Sequence, residues 1–277
     1  MTYQQLWHSL TPLYDAGEAR AIVRTLLEER FGMTMTDIIC YGTEKLVPPQ
    51  QETLMAMMRR LADAEPVQYV LGQAPFMHRM MHVEPGVLIP RPETEVLCRW
   101  ILDDPHPAMP LVIDIGCGSG CIAITLALGL DHAHVVATDI SEKAIAVTQQ
   151  NASRHHASLE VIRRDALSMN GDDSRWDIIV SNPPYVRESE KESMHANVTR
   201  HEPSEALFVP DDNPLVFYRA IGQYASTALK HGGALYFECN TALVDDTSCW
   251  LCRQGLKDVE TRHDQYGKPR FIKAIRP

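Results

Sequence analysis

A chain of 277 residues, 45% hydrophobic and 22% charged, is long enough to bury a core without covalent staples and too apolar to stay disordered. Its 36 acidic side chains outnumber the 26 basic ones, and a net charge of −10 argues against gripping a nucleic-acid backbone without sequence preference. The opening MTYQQLWHSL lacks the basic-then-apolar pattern of a secretion signal, no apolar run nears the ~20 residues of a membrane helix, and seven cysteines need no pairing in a chain of this size, so the expectation is a reduced cytoplasmic protein that neither spans nor lies on a membrane.

Residues 1–72 show no strand pattern. Apolar side chains recur at helical spacing in Ile22, Val23, Leu26 and Leu27 and again in Leu54, Met57, Met58 and Leu61, while Asp37 and Pro48-Pro49 stand where helices start or stop. The expectation is a small helical N-terminal domain. Met33, Met55, Met57 and Met58 suit core filling, with an adaptable binding face as the alternative. Residues 73–92 are rich in Pro and Gly, alternate like strand and carry the turn signal Pro85-Gly86, which predicts a β-hairpin linker. Over 93–277 apolar strands alternate with helices: LVIDI, HVVATDI, LEVIRRD, WDIIVSN and GGALYFECN are strands, with helices between them, and LKDVETRHD and RFIKAIR pair around Tyr266-Gly267. That order predicts an α/β domain with a mostly parallel sheet covered on both faces.

Ligands of such sheets sit at the carboxyl ends of the strands. The segment Asp114-Ile115-Gly116-Cys117-Gly118-Ser119-Gly120 follows a strand and opens a helix, and Asp139 ends the next strand, where a carboxylate accepts both ribose hydroxyls. A dinucleotide site wants G-x-G-x-x-G, but here the third glycine comes one residue early and Cys121 follows it. The G-x-G-x-G pattern resembles the S-adenosylmethionine loop of Rossmann-like methyltransferases, whose cofactor has an ammonium group that Asp114 could pair with, directly or through water. Asp165, with Ala166 after it, ends the third strand, where in that superfamily an acid flanks the adenine; a solvated strand-end acid is the plainer alternative.

Asn182-Pro183-Pro184-Tyr185 ends the fourth strand. Two prolines fix the backbone and offer carbonyls with no competing N–H. The Asn182 side-chain oxygen and the Pro183 carbonyl can both accept from one planar –NH2 group, with the Tyr185 ring as its platform. The nitrogen of such a group is a poor nucleophile because its lone pair is delocalised. Two acceptors on its hydrogens orient it and push charge toward nitrogen as a methyl group arrives in line. This restricts the acceptor to adenine, guanine, cytosine or glutamine without choosing among them.

The order Pro66-Val67-Gln68-Tyr69-Val70-Leu71-Gly72, Phe76, Val87-Leu88-Ile89-Pro90-Arg91-Pro92-Glu93-Thr94-Glu95, the glycine loop, Asn182–Tyr185, His201-Glu202-Pro203, Ala206-Leu207-Phe208 and Phe217-Tyr218-Arg219 resembles the peptide chain release factor N5-glutamine methyltransferases over essentially the whole chain. The resemblance implies a class I Rossmann-like methyltransferase domain behind a helical N-terminal domain for substrate docking. It implies methylation of the glutamine in the Gly-Gly-Gln motif of class 1 release factors with S-adenosylmethionine as donor; separately, a monomer without a metal is expected. By motif, Gly116 to Gly120, Asp139, Asp165 and Ala166 would hold the cofactor, and Asn182 to Tyr185, with Arg91 and Thr94 at the border, the glutamine amide, with Asn182 touching the cofactor as well. From the residues alone, the 91–94 segment reads as a rigid polar turn capping a helix, with Glu93 or Thr94 near its start. Departures from the family are His78 for a frequent Gly, Glu238-Cys239-Asn240 for Glu-Ile-Gly, and Asp211-Asp212-Asn213-Pro214-Leu215 for a Gly-x-Asp-Gly-Leu loop.

Other signals carry less. Cys249-Trp250-Leu251-Cys252 lies in a predicted helix without a second ligand pair, and His132, His134, His155 and His156 are scattered as surface polarity is. The rival readings are the same chemistry on a ribosomal-protein glutamine, an adenine-N6 or guanine-N2 nucleic acid methyltransferase, and a cofactor-binding module without catalysis.

Overall fold

The computed structural model describes all 277 residues, which cluster as two units, 1–73 with 194–201, and 74–193 with 202–277. In the first unit the helix starts are written in their caps. Thr2 accepts from Gln5 N at the head of α1 (Tyr3–His8), Asp15 accepts from Gly17 N and Glu18 N at the head of α2 (Ala16–Phe31), and Thr34 and Asp37 cap α3 (Met35–Cys40) reciprocally. Pro48 and Pro49 open α4 (Pro48–Ala62), where a missing N–H is no loss, and α5 (Val67–Leu71) stops on a left-handed Gly72. The helices close around Leu6, Leu10, Val23, Leu26, Leu27, Ile38, Leu54 and Leu61. Met33, Met57 and Met58 fill this core, whereas Met55 is exposed. His201 belongs to the same unit and its ring nitrogen lies 3.0 Å from the Asp63 carbonyl.

The second unit begins with a hairpin of β1 (Gln73–Phe76) and β2 (Arg79–His82). The hairpin is shorter than the sequence pattern suggests. The chain reverses at Met77-His78, both with positive φ, and Pro85-Gly86 turns a later, irregular stretch. His78 has φ 61°, so it stands in a conformation that glycine adopts without strain.

The elements then follow in chain order as α6 (Pro92–Asp103), β3 (Leu111–Ile115), α7 (Cys121–Gly129), β4 (His134–Asp139), α8 (Glu142–Arg154), β5 (Leu159–Arg163), β6 (Trp176–Ser181), β7 (Val186–Arg187), α9 (Ala196–His201, which belongs to the first unit), β8 (Phe208–Val209), α10 (Val216–Ala228), β9 (Leu229–Glu238), α11 (Val244–Arg253), β10 (Lys257–His263) and β11 (Pro269–Ile275). Seven strands form one sheet in the order β10-β11-β9-β6-β3-β4-β5. The five from β9 to β5 are parallel, and β11 runs antiparallel to both β9 and β10. Strand parity sorts the core: Val112 faces the layer with Trp100 and Ile101 of α6 and Leu126 of α7, and Ile113 the layer with Tyr218 and Ile221 of α10 and Leu251 of α11. No helix is long and apolar enough to cross a membrane.

The register matters most for function. Ile115 is level with both Thr138 and Ser181, and Ser181 is level with Phe237. The next residue on each strand is therefore Gly116, Asp139, Asn182 or Glu238, so four adjacent strands deliver these residues to one edge.

Candidate active site

At that edge the chain after β3 is held by its neighbour strand. Gly116 N and Cys117 N both donate to the Thr138 carbonyl, at 2.8 and 2.9 Å, and Gly118 N donates to Asp139 Oδ2 at 2.9 Å. A Cβ on Gly116 or Gly118 would meet nothing within 4 Å, so both glycines face open space and keep the wall of the site thin. Asn151 of α8 braces the loop from behind. Its Nδ2 donates to the Ser119 and His82 carbonyls, and its Oδ1 accepts from His82 N at 2.7 Å, so one buried amide ties the hairpin to the glycine loop.

The loop forms one wall of a cavity of about 300 Å3. Gly116, Cys117, Gly118 and Ser119 line it with Asp139, Asp165, Ala166, Asn182, Pro183, Pro184, Arg91 and Thr94. Asp139 Oδ1 also accepts from Ser141 N at 2.9 Å. Burial pushes the Asp139 carboxyl above its ordinary value, against these backbone donors. Asp165 Oδ1 accepts from Leu167 N at 2.9 Å and so starts the short 3-10 turn Ala166–Ser168, which carries Ala166 and Leu167 into the cavity wall. Ile140 and Val87 add apolar surface.

Two residues expected in this wall are not in it. Asp114 is fully buried, and its Oδ2 accepts from Ala123 N of α7 at 3.1 Å while Oδ1 has no partner. It shares strand parity with Val112 and therefore turns toward α7 instead of the cavity. Burial raises its pKa to about 7. Gly120 heads α7, and a Cβ there would lie 2.8 Å from Thr148 Cγ2. Its small size serves close helix packing, so Gly116 and Gly118 alone form the open cradle.

A smaller cavity of about 40 Å3 is lined by Leu88, Arg91, Asn182, Pro183 and Ala206 of the first and by Tyr185, Val186 and Leu207. Tyr185 thus belongs to this annex. Asn182 Nδ2 donates to Thr94 Oγ1 at 3.3 Å, and no group of the chain hydrogen-bonds Asn182 Oδ1 or the Pro183 carbonyl. The 91–94 segment does open α6, with Arg91 at the N-cap position, Pro92 first and Glu93 and Thr94 just after it, but no side chain caps the helix, and the Thr94 hydroxyl donates to Glu238 instead. Arg91 is fixed by Glu202, whose Oε1 lies 2.6 Å from Arg91 Nη2 and whose Oε2 accepts from Ile89 N at 3.2 Å. This buried carboxylate holds the 89–91 segment along both cavities.

Residues 94–207 match the family model of the methyltransferase small domain, and residues 9–72 that of the PrmC N-terminal domain. The release factor glutamine methyltransferase of Bacteroides thetaiotaomicron is 41% identical over 269 residues, which cover 97% of this chain and 96% of the relative. The chain belongs to the release factor glutamine methyltransferase family. The member from Flavobacterium psychrophilum is 37% identical over 274 residues, 98% of this chain and 96% of its own. Among solved structures, a ribosomal protein L11 methylase from Lactobacillus delbrueckii subsp. bulgaricus shares the fold, with a TM-score of 0.50 at 18% identity over 73% of this chain and 89% of that one.

The methyl donor of this family is S-adenosylmethionine, and the residues present fit it. The loop leaves room at Gly116 and Gly118, Asp139 has lone pairs free for ribose hydroxyls, and Ala166, Leu167 and Ile140 give the flat, apolar surroundings an adenine ring needs. Asp139→Ala is expected to raise the dissociation constant for S-adenosylmethionine by roughly tenfold or more, measured by calorimetry. An unchanged constant would remove Asp139 from the cofactor. Asp114 gives a second expectation. Its folded pKa of about 7 lies above the ordinary 3.8, so the native chain keeps a proton that the unfolded chain releases, and stability falls as pH rises through that window. Asp114→Asn should therefore stabilise the cofactor-free protein at about pH 8, with the gain shrinking toward about pH 4, as read by urea unfolding.

Proposed function

We propose that this protein transfers a methyl group from S-adenosylmethionine to the side-chain nitrogen of the glutamine in the Gly-Gly-Gln motif of class 1 release factors. The observation that carries the acceptor chemistry is the orientation of Asn182: its –NH2 is engaged by Thr94, which leaves Oδ1 and the Pro183 carbonyl as two acceptors at the cavity. Two acceptors side by side at this point suit a primary amide.

The cofactor, when bound, supplies a methyl group on a sulfonium, so departure leaves a neutral thioether. Asn182 Oδ1 and the Pro183 carbonyl hold the two hydrogens of the glutamine amide and aim the nitrogen lone pair along the line of attack. The Tyr185 ring, in the annex wall, supports the flat face of the amide. Leu88, Arg91, Asn182 and Pro183 line both cavities, so the cofactor fills the larger one and the acceptor side chain reaches it from the smaller. No strong base is needed before transfer, because the methylated amide sheds its extra proton readily afterwards. Asp139, Gly116 and Gly118 hold the cofactor, with Asp165 and Ala166 beside the adenine and Cys117 and Ser119 in the loop wall.

The helical unit exposes Met35, Ile39, Tyr41 and Val47, which suits it to docking the release factor. We assign the reaction to a monomer in the cytoplasm, where release factors act. Labelled S-adenosylmethionine offered with a release factor, the same factor with its Gly-Gly-Gln glutamine replaced, ribosomal proteins and DNA or RNA tests the reading. Label on the intact release factor alone is the expected result, and label on nucleic acid or ribosomal protein in its place contradicts it. Asn182→Ala should lower turnover by about a hundredfold while cofactor affinity changes little, since it acts on the acceptor.

A further inference from the structure

Glu238 ends β9 beside the end of β6, following Phe237 as Asn182 follows Ser181, and it is only 1% exposed. Each of its carboxyl oxygens has a different hydroxyl partner. Oε2 accepts from Thr94 Oγ1 at 2.7 Å and Oε1 accepts from Tyr185 Oη at 3.0 Å. Thr94 Oγ1 is in turn the acceptor for Asn182 Nδ2 at 3.3 Å. A hydroxyl has one hydrogen. With that hydrogen directed at Glu238, Thr94 has only lone pairs to offer Asn182, and the carboxamide meets it with –NH2. The carboxamide oxygen then has one direction left, toward the cavity.

We propose that Glu238 is a positioning residue that sets the hydrogen-bond polarity of Asn182 through Thr94 and fixes the tilt of the Tyr185 ring. This deepens the acceptor reading above and rests on it. A carboxylate suits the task because it only accepts. A side chain that can also donate, such as glutamine, leaves the Thr94 hydrogen free to turn toward Asn182. The amide can then flip and set its –NH2 against the –NH2 of the acceptor, donor facing donor.

The surroundings support a fixed geometry. The Tyr185 carbonyl accepts from Asn240 Nδ2 at 3.1 Å, so the Asn that stands where the family often has Gly grips the tetrapeptide from the end of the same strand. The Tyr218 hydroxyl joins the Glu238 carbonyl and Asn240 N, each at 3.3 Å. Burial raises the carboxyl pKa of Glu238, and the donors Thr94 and Tyr185 and the charge of Arg270 act against that rise, while Glu93 adds to it. Both hydroxyl partners thus favour the ionised, accept-only form.

The test compares wild type, Glu238→Gln, Thr94→Val and Thr94→Ser for kcat, KM of the release factor, affinity for S-adenosylmethionine and thermal midpoint. Glu238→Gln and Thr94→Val are expected to lower kcat about 10- to 100-fold with cofactor affinity and thermal midpoint held. Thr94→Ser, which keeps the hydroxyl, should restore most of the rate. Wild-type kcat in Glu238→Gln, or a loss matched by an equal loss of cofactor affinity, overturns the proposal. Should Glu238→Gln fail to fold, the Thr94 pair decides, because equal rates for Val and Ser also overturn it. The side-chain amide signals of Asn182 by 15N NMR read the polarity without turnover. One amide proton protected by Thr94 in wild type and exchanging in Glu238→Gln is expected; identical signals overturn the proposal. A wild-type enzyme that leaves the Gly-Gly-Gln glutamine unlabelled contradicts the acceptor reading alone, and the NMR result still judges Glu238.

Discussion

The site depends on the parallel register of β4, β3, β6 and β9. Because Ile115, Thr138, Ser181 and Phe237 are level across the sheet, the residues beyond them emerge side by side. In the proposed reading Gly116 and Asp139 form the cofactor half and Asn182 and Glu238 the acceptor half. A slip of one residue on β6 would turn every side chain of that fully buried strand to the opposite layer, so the packing of the core and the alignment of the site are the same constraint. The Ser181 hydroxyl, donating to the Ile115 carbonyl at 2.6 Å, ties the two halves at their junction.

Above this edge, buried polar groups do what apolar packing cannot: they choose directions. Glu202 aims Arg91, Asn151 joins the hairpin to the glycine loop, and Glu238 holds Thr94 and Tyr185. Each bond spans a long stretch of chain, and each group left without its partner would be buried and unsatisfied. The reacting amide nitrogen has little nucleophilicity of its own, so an arrangement that specifies acceptors, and not merely shape, accounts for why a methyltransferase invests its acceptor side in rigid polar contacts.

Much of this was legible in the sequence. The glycine loop, Asp139 and Asn182–Tyr185 are contiguous motifs at strand ends, and strand ends can be read from apolar runs. The family resemblance was legible for the same reason, since its motifs are short and ordered. Contacts between distant segments were not. Thr94 and Glu238 are 144 residues apart, and Arg91 and Glu202 are 111 apart, so the sequence shows Thr94 only as a residue near a helix start and Glu202 only as part of a motif without a role. Asp114 reads as a cavity residue because it precedes the glycines, yet its parity with Val112 points it at α7, a signal the strand pattern already holds. Pro85-Gly86 is the turn signal the sequence offers, whereas the hairpin turns at Met77 and His78, whose positive φ residue type alone does not announce.

The central claim is that a glutamine amide is held by Asn182 Oδ1 and the Pro183 carbonyl against the Tyr185 ring. The most direct measurement is a crystal structure of the enzyme bound to S-adenosylhomocysteine and a release factor. It should show the Gly-Gly-Gln amide nitrogen within hydrogen-bond distance, about 3 Å, of both oxygens, with the thioether sulfur on the opposite side of the vacant methyl position. A glutamine seated elsewhere, or an Asn182 that turns its –NH2 to the acceptor, would contradict the account.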